Sequence, residues 1–320
     1  MSKFEKKVLK KRVFEKRVLF VGIPDMAYVC LDGLNLSDVN IVGVVGPKED
    51  HPTYLNFQRF VKSRNLNFIE YETLDDFMFI QQIKNLNADI AVVCSFNYKI
   101  PKVLLDCVKG GFINIHPSLL PEYRGPNPYS SVIINDEKET GVTLHFMDET
   151  FDTGDIIAQR KLPMTKLETM GTLFNRLNIL GLDMLLETLT KYEKEPLNRQ
   201  KQPQGTFKRG KSMSNEAIII DYEKSAGGIE SLIRSLNPFV LAQTSFRGNI
   251  IKVFTADIIE QDFHLTYSPG EIVQIEDEKF YIKTGKGLLA ITSMQFGSFF
   301  TGTSKEFIKI LKPKIGERFL

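Results

Sequence analysis

Gly111-Phe112-Ile113-Asn114-Ile115-His116-Pro117-Ser118-Leu119-Leu120-Pro121-Glu122-Tyr123-Arg124-Gly125 is the stretch that decides the fold. Residues 111–116 read as a short apolar strand, which breaks into a loop punctuated by Pro117, Pro121 and Gly125. Alternate side chains of a strand share a face, so Asn114 and His116 point the same way at its carboxyl end. Upstream of this block, strands and helices alternate. Strands are read at 17–22, 40–46, 67–71 and 89–95, with helices at 26–34, 55–64, 74–86 and 101–108, the last opening on a proline. The alternation predicts an open, mostly parallel α/β sheet with flanking helices. Ligands bind such sheets at the carboxyl ends of the strands, which is where Asn114 and His116 fall.

Downstream, Thr140-Gly141-Val142-Thr143-Leu144-His145-Phe146-Met147-Asp148-Glu149-Thr150-Phe151-Asp152-Thr153-Gly154-Asp155 and the residues after it read as two strands, 140–147 and 155–162, around an Asp152 loop. Residues 170–190 have helical periodicity, with Leu173, Leu177, Leu180, Leu185 and Leu189 near one stripe. Residues 196–213 are polar, carry Pro and Gly, and have no apolar period, so they read as a linker. A helix at 228–235 follows. Short strands separated by Arg247-Gly248-Asn249, Ser268-Pro269-Gly270 and Gly285-Lys286-Gly287 then predict a small β barrel. The expected organisation is therefore a catalytic domain at 1–195, a linker at 196–213 and a barrel at 214–320.

Composition limits the function classes. The chain has 320 residues, 42% apolar and 25% charged, as in ordinary globular proteins. No apolar run approaches the ~20 residues of a membrane span. The Lys/Arg-rich start, 1–17, lacks an apolar core and reads as a solvated tail. Cys30, Cys94 and Cys107 lie in apolar surroundings without metal-like spacing, so they are expected to be buried free thiols in a reducing cytoplasm. A net charge of +2 gives no global argument for nucleic acid. No His/Cys/Asp/Glu set has zinc spacing, and no metal is expected.

Asn114, His116 and Asp152 bring together an amide donor, an imidazole and a carboxylate, the parts that stabilise an oxyanion and move a proton. Each also has a bland reading. Asn114 can cap the strand end, His116 can be a satisfied structural histidine, and Asp152 in Asp-Thr-Gly-Asp can hold turn amides. His145, between Leu144 and Phe146, is expected to pack on the sheet face, and His51 and His264 read as surface residues. Arg124 can pair with an anionic substrate group or pin its own loop. Gly22-Ile23-Pro24-Asp25 follows the first strand with a single glycine, which argues against a dinucleotide site.

Asn-x-His with Ser-Leu-Leu-Pro-x-x-Arg-Gly, followed by Thr-Gly-Val-Thr and Asp-x-Gly-Asp, resembles the formyltransferase family that uses 10-formyltetrahydrofolate. The resemblance covers nearly the whole chain. Its catalytic part spans 17–163, and Ile233-Arg234-Ser235-Leu236-Asn237-Pro238 with the barrel region is similar to the C-terminal domain of methionyl-tRNA and aminosugar formyltransferases. It implies a formyltransferase-type, Rossmann-like fold with an OB-like barrel, catalytic Asn114, His116 and Asp152, and no metal. It implies a folate pocket near Ser95, Phe96, Asn97, Tyr98, Ile100, Met147, Asp148 and Phe151. Ser118, Tyr123 and Arg124 are the expected acceptor contacts, and a cytoplasmic location and a homodimer are compatible with it.

The acceptor is a small primary amine, such as a nucleotide-linked amino sugar, or methionyl-tRNA. The tRNA enzymes of the family carry a basic insertion after the second strand, whereas 47–59 here is shorter and holds one lysine and two acids. Pro126-Asn127-Pro128-Tyr129 also replaces the small residues of the tRNA enzymes. Lys201, Lys208, Arg209, Lys211, Lys305, Lys309, Lys312 and Lys314 can contact RNA or form a solvated face. A formyltetrahydrofolate hydrolase and a silent RNA-binding relative are the other classes left open.

Overall fold

The computed structural model describes residues 14–212, 214–260, 266–298 and 300–320. The basic start before Phe14, and His264, lie outside the described residues. The chain groups into two compact units. The first holds the chain through Gly125, Thr140–Leu162 and Arg176–Arg209, and the second holds Pro126–Glu139, Pro163–Asn175 and Gly210–Leu320. The division is thus interleaved, whereas composition alone placed one boundary at 196–213.

In order, the elements are β1 (Val18–Gly22), α1 (Met26–Leu36), β2 (Ile41–Pro47), α2 (Pro52–Ser63), β3 (Phe68–Tyr71), α3 (Phe77–Asn85), β4 (Ile90–Cys94), α4 (Lys102–Leu105), β5 (Phe112–His116), α5 (Pro128–Ile134), β6 (Glu139–Phe146), β7 (Ile156–Pro163) and α6 (Met170–Tyr192). The sheet runs β3-β2-β1-β4-β5-β6-β7. β1 to β5 are parallel, as expected, and β6 turns antiparallel to β5. β1 and β4 are buried along their whole length, which is why VLFVG and IAVVC are continuous apolar runs without alternation. Local chemistry starts the flanking helices. His51 caps α2 by accepting from the Thr53 amide at 3.3 Å, with Pro52 in the first turn. Asp76 caps α3 through the Phe79 amide at 2.8 Å. Cys30 and Cys94 are buried free thiols; Cys107 is half-buried, with its Sγ 3.1 Å from the Val103 carbonyl.

The second unit contains α7 (Ala226–Leu236), β8 (Ala242–Phe246), β9 (Asn249–Ile259), β10 (Ile272–Glu276), β11 (Lys279–Lys283), β12 (Leu288–Phe296), β13 (Phe300–Thr303) and α8 (Ser304–Leu311). Its antiparallel order is β10-β11-β12-β9-β8, with β13 on β12. The last residues close it as a barrel. Leu320 exchanges backbone bonds with Ser245 beside β8, and Glu317 and Phe319 bond Ile272 and Gly270 beside β10. The barrel is filled by Phe246, Phe280, Phe307 and Phe319; the rings of Phe246 and Phe319 lie 4.8 Å apart. Helices α5 and α8 were not foreseen. A capping box of Thr303 and Glu306 starts α8 and was legible in the sequence. α5 begins inside Pro126-Asn127-Pro128-Tyr129 and packs on α7, where Ser130 Oγ donates to the Ser235 carbonyl at 2.7 Å. Among the described residues, no helix is long and apolar enough to cross a membrane.

Phe319→Ala removes a fully buried ring from the barrel and is expected to cost about 3–5 kcal/mol. Ile310→Ala, at a side chain 56% exposed, should change stability by less than about 0.5 kcal/mol. Urea unfolding followed by circular dichroism separates the two.

Candidate active site

The site is built where β5 meets β6. In their antiparallel register Asn114 lies opposite His145, and His116 lies opposite Thr143. Direct cross-strand neighbours have touching side chains, so the strand pairing itself sets His145 against Asn114. Asp152 arrives from the loop between β6 and β7 in a left-handed conformation, φ 59°. Gly154, two residues on, lies so close to the Phe146 carbonyl that a Cβ would collide with it.

These segments surround one carboxylate oxygen. Asp152 Oδ1 is 3.4 Å from Asn114 Nδ2, 3.5 Å from His116 Nδ1 and 3.6 Å from His145 Nε2. The other oxygen, Oδ2, accepts from the Gly125 amide at 2.8 Å. Hydrogen bonds to carbonyls assign the ring protons. His116 Nε2 donates to the Tyr123 carbonyl at 2.9 Å, and His145 Nδ1 donates to the Phe146 carbonyl at 2.8 Å. His145 Nε2 is then the acceptor for Asn114 Nδ2 at 3.1 Å. Asn114, His116 and Asp152 therefore come together, and His145 joins them. His145 is buried as expected, but its ring also faces the polar cluster, a role that Leu144 and Phe146 on either side concealed.

The site sets its own proton affinities. Burial drives the Asp152 carboxyl upward, but the charge on His116, the His145 ring and the Gly125 amide outweigh this and hold its pKa at about 2. Burial lowers His116 below the ordinary histidine value; Asp152 raises it and His145 lowers it further. The resting state is thus an ionised Asp152 beside a largely neutral His116 whose Nδ1 lone pair faces the carboxylate.

The remaining expected residues divide by what they touch. Ser118 is fully buried, its hydroxyl donating to the Glu122 carbonyl at 2.7 Å and its carbonyl accepting from Thr143 Oγ1, so it holds the loop. Tyr123 is buried and presents its backbone carbonyl to His116; its own amide donates to the Lys208 carbonyl at 2.7 Å. Arg124 binds the Gln202 Oε1 at 3.1 and 2.5 Å and lies over the Phe207 ring. Gln202 was missed because 196–213 looked like a free linker. In the structure Gln200 pairs with Ile156 through two backbone bonds, and the Gln202 amide reaches the Asp152 and Gly154 carbonyls at 2.9 and 2.8 Å. A strap held by backbone bonds has no apolar periodicity to betray it.

The two loops expected to hold folate are neighbours. Ser95 turns the chain after β4 in a left-handed conformation. Phe96 and Met147 both pack on the core under β1 and β4, and the Lys99 ammonium lies over the Phe151 ring at 5.6 Å. Tyr98 and Phe151 expose their rings, and Asn97 is exposed beside them. Ile100 is a core residue, 1% exposed. Asp148 is turned inward on its own loop, accepting from the Thr150 amide and from Thr153 Oγ1. Among the described residues no cluster of His, Cys, Asp or Glu is arranged to hold a metal.

An α/β sheet with an Asn–His–Asp cluster at the carboxyl end of a central strand is the frame of a group-transfer enzyme. Residues 17–189 match the formyl transferase family and residues 212–311 match its C-terminal domain. The chain belongs to the formyl transferase family. It is 32% identical over 287 residues to methionyl-tRNA formyltransferase of Alkaliphilus oremlandii, spanning 88% of this chain and 92% of that one. It is 33% identical over 305 residues to the enzyme so named in Agathobacter rectalis, spanning 91% and 97%. Two solved structures share the fold. The N-formyltransferase from Helicobacter canadensis, complexed with folinic acid and dTDP-3-aminofucose, has a TM-score of 0.64 at 19% identity, over 88% of this chain and all of that one. HypX from Aquifex aeolicus has a TM-score of 0.62 at 19% identity, over 94% of this chain. The chain spans about half the length of HypX, 48%.

The opposed pulls on His116 have a testable sign. Its imidazole should titrate below the ordinary histidine value of about 6.5. In Asp152→Asn the upward pull of the carboxylate is gone while burial stays, so the midpoint should fall further. Histidine NMR titration of both proteins checks this, and a midpoint that rises in the variant contradicts the charge assignment.

Proposed function

We propose that the chain transfers the formyl group of 10-formyltetrahydrofolate to a primary amine, with Asn114, His116 and Asp152 as catalytic residues. The convergence of Asn114 and His116 on the Asp152 carboxylate at one strand end is the observation that carries this reading. Tyr98, Phe151 and the 95–100 and 147–152 loops offer exposed rings over a packed base, which fits a flat heteroaromatic donor. That donor supplies an activated formyl carbon, whose oxygen becomes negatively charged as the amine adds.

The 3.1 Å bond to His145 fixes the Asn114 amide, and its second N–H, only loosely engaged with Asp152, is the donor to that oxygen. His116, neutral at rest, accepts the proton of the attacking amine at Nδ1, its Nε2 being held by Tyr123. Asp152 stabilises the imidazolium so formed, and the same proton is returned to the departing folate nitrogen when the carbon–nitrogen bond breaks. His116 thus starts as a base, because burial lowers its pKa.

For the acceptor we infer a small primary amine, such as that of a nucleotide-linked sugar. After β2, Lys48 pairs with Glu72 at 2.6 Å and Arg64 with Asp32 at 2.9 Å, beside Glu49 and Asp50. Cations neutralised by their own neighbours are poor phosphate contacts. Methionyl-tRNA is the second reading, favoured by the name shared by relatives aligned over most of their length.

Asn114→Ala and His116→Ala should each lower kcat by about 10²-fold or more, as for lost oxyanion and proton-transfer groups. Tetrahydrofolate release is measured with nucleotide-linked amino sugars, with methionyl-tRNA and without acceptor. Full turnover in either variant defeats the role assignment, and formate release without an acceptor points to a hydrolase. Activity on a small amine should vary weakly with salt, whereas several phosphate contacts would weaken binding by about 10³-fold or more between low and physiological ionic strength.

A further inference from the structure

We propose that Gln202 is a positioning residue for this reaction, clamping the Asp152 backbone to the Arg124 loop so that the carboxylate faces Asn114, His116 and His145. The inference rests on the reading of that cluster as the reactive centre. A left-handed backbone at a residue other than glycine is disfavoured and persists only where its surroundings over-determine it. Asp152 has φ 59°. Its carbonyl accepts from Gln202 Nε2 at 2.9 Å, and the Gly154 carbonyl accepts from the same nitrogen at 2.8 Å. At the other end of the carboxamide, Oε1 accepts from Arg124 Nε and Nη2 at 3.1 and 2.5 Å. Both N–H groups and the oxygen are therefore engaged, and each partner belongs to a loop that also touches the carboxylate.

The clamp is anchored from behind. Gln200 exchanges two backbone bonds with Ile156, at 2.7 and 2.9 Å, which sets Gln202 two residues beyond a fixed point. The Arg124 loop supplies the Gly125 amide to Asp152 Oδ2 and the Tyr123 carbonyl to His116. One glutamine thus joins the segment that carries the carboxylate to the segment that orients the imidazole. The chemistry requires this residue type. Glutamate offers Arg124 a partner but has no N–H for the two carbonyls, and asparagine is one methylene shorter. The groups facing Asp152 are His116 and Asn114 from β5, His145 from β6 and the Gly125 amide; Arg124 acts on it through Gln202.

The test compares Gln202→Ala, Gln202→Glu and, as a control at an exposed neighbour, Gln204→Ala. Displacing a reacting group by about 1 Å costs about 10²-fold in rate, so Gln202→Ala should lower kcat by between about 10-fold and 10²-fold with both KM values unchanged. Gln202→Glu should fall with it, although Arg124 keeps a partner. Recovery of kcat in Gln202→Glu would mean that the residue serves only Arg124, and undiminished kcat in Gln202→Ala would remove the role altogether. A second readout needs no turnover. The His116 NMR titration midpoint should move in both Gln202 variants and not in Gln204→Ala; an unmoved midpoint in folded protein overturns the proposal. Failure of the wild-type protein to transfer formyl groups would instead sink the reading of the site, leaving the titration to decide on Gln202.

Discussion

An ionised carboxylate largely removed from water needs hydrogen-bond donors, and the site depends on how Asp152 finds them. One oxygen accepts from Asn114 Nδ2 beside the His116 and His145 rings, and the other accepts from the Gly125 amide. These partners come from β5, β6 and the loop after β5, so satisfying one charge fixes three segments at once. The same constraint tunes the chemistry. The neighbours of Asp152 hold its carboxyl down, while burial lowers His116 and Asp152 pulls it up.

The switch of β6 to an antiparallel direction is what makes this possible. The connection from β5 to β6 already carries α5, so its length does not impose the reversal. The antiparallel partner brings His145 directly across from Asn114 and lets the chain turn back through 147–155, delivering Asp152 to the carboxyl end of β5. Gly154, pressed against the Phe146 carbonyl, keeps that turn tight. Residues 200–208 then cross the same end, where Gln202 and the Lys208 carbonyl bond the loops that hold Asp152 and His116. The polar character of this stretch is the consequence of its bonding to backbone groups.

The two units divide their architecture by the same physics of closure. The first buries a parallel sheet on both faces and leaves its functional groups at the strand ends. The second closes an antiparallel sheet with its own C-terminal residues, so that neither β8 nor β10 remains an open edge. Phe319 serves both purposes there, bonding Gly270 through its amide and filling the barrel with its ring.

The sequence by itself determined the α/β alternation, the mostly parallel sheet and the barrel and singled out Asn114, His116 and Asp152 as candidates, because each is written in local periodicity, turn residues or contiguous motifs. It did not reveal His145, whose apolar neighbours make it look like core until the register of β5 and β6 sets it against Asn114. It did not reveal Gln202, since bonds to the Asp152 and Gly154 carbonyls leave no pattern in a polar stretch. Nor did it reveal that the Ser118 hydroxyl is engaged inside its own loop. Each of these depends on which distant backbone groups come within hydrogen-bonding distance and on how much water is excluded, and only the tertiary structure decides that.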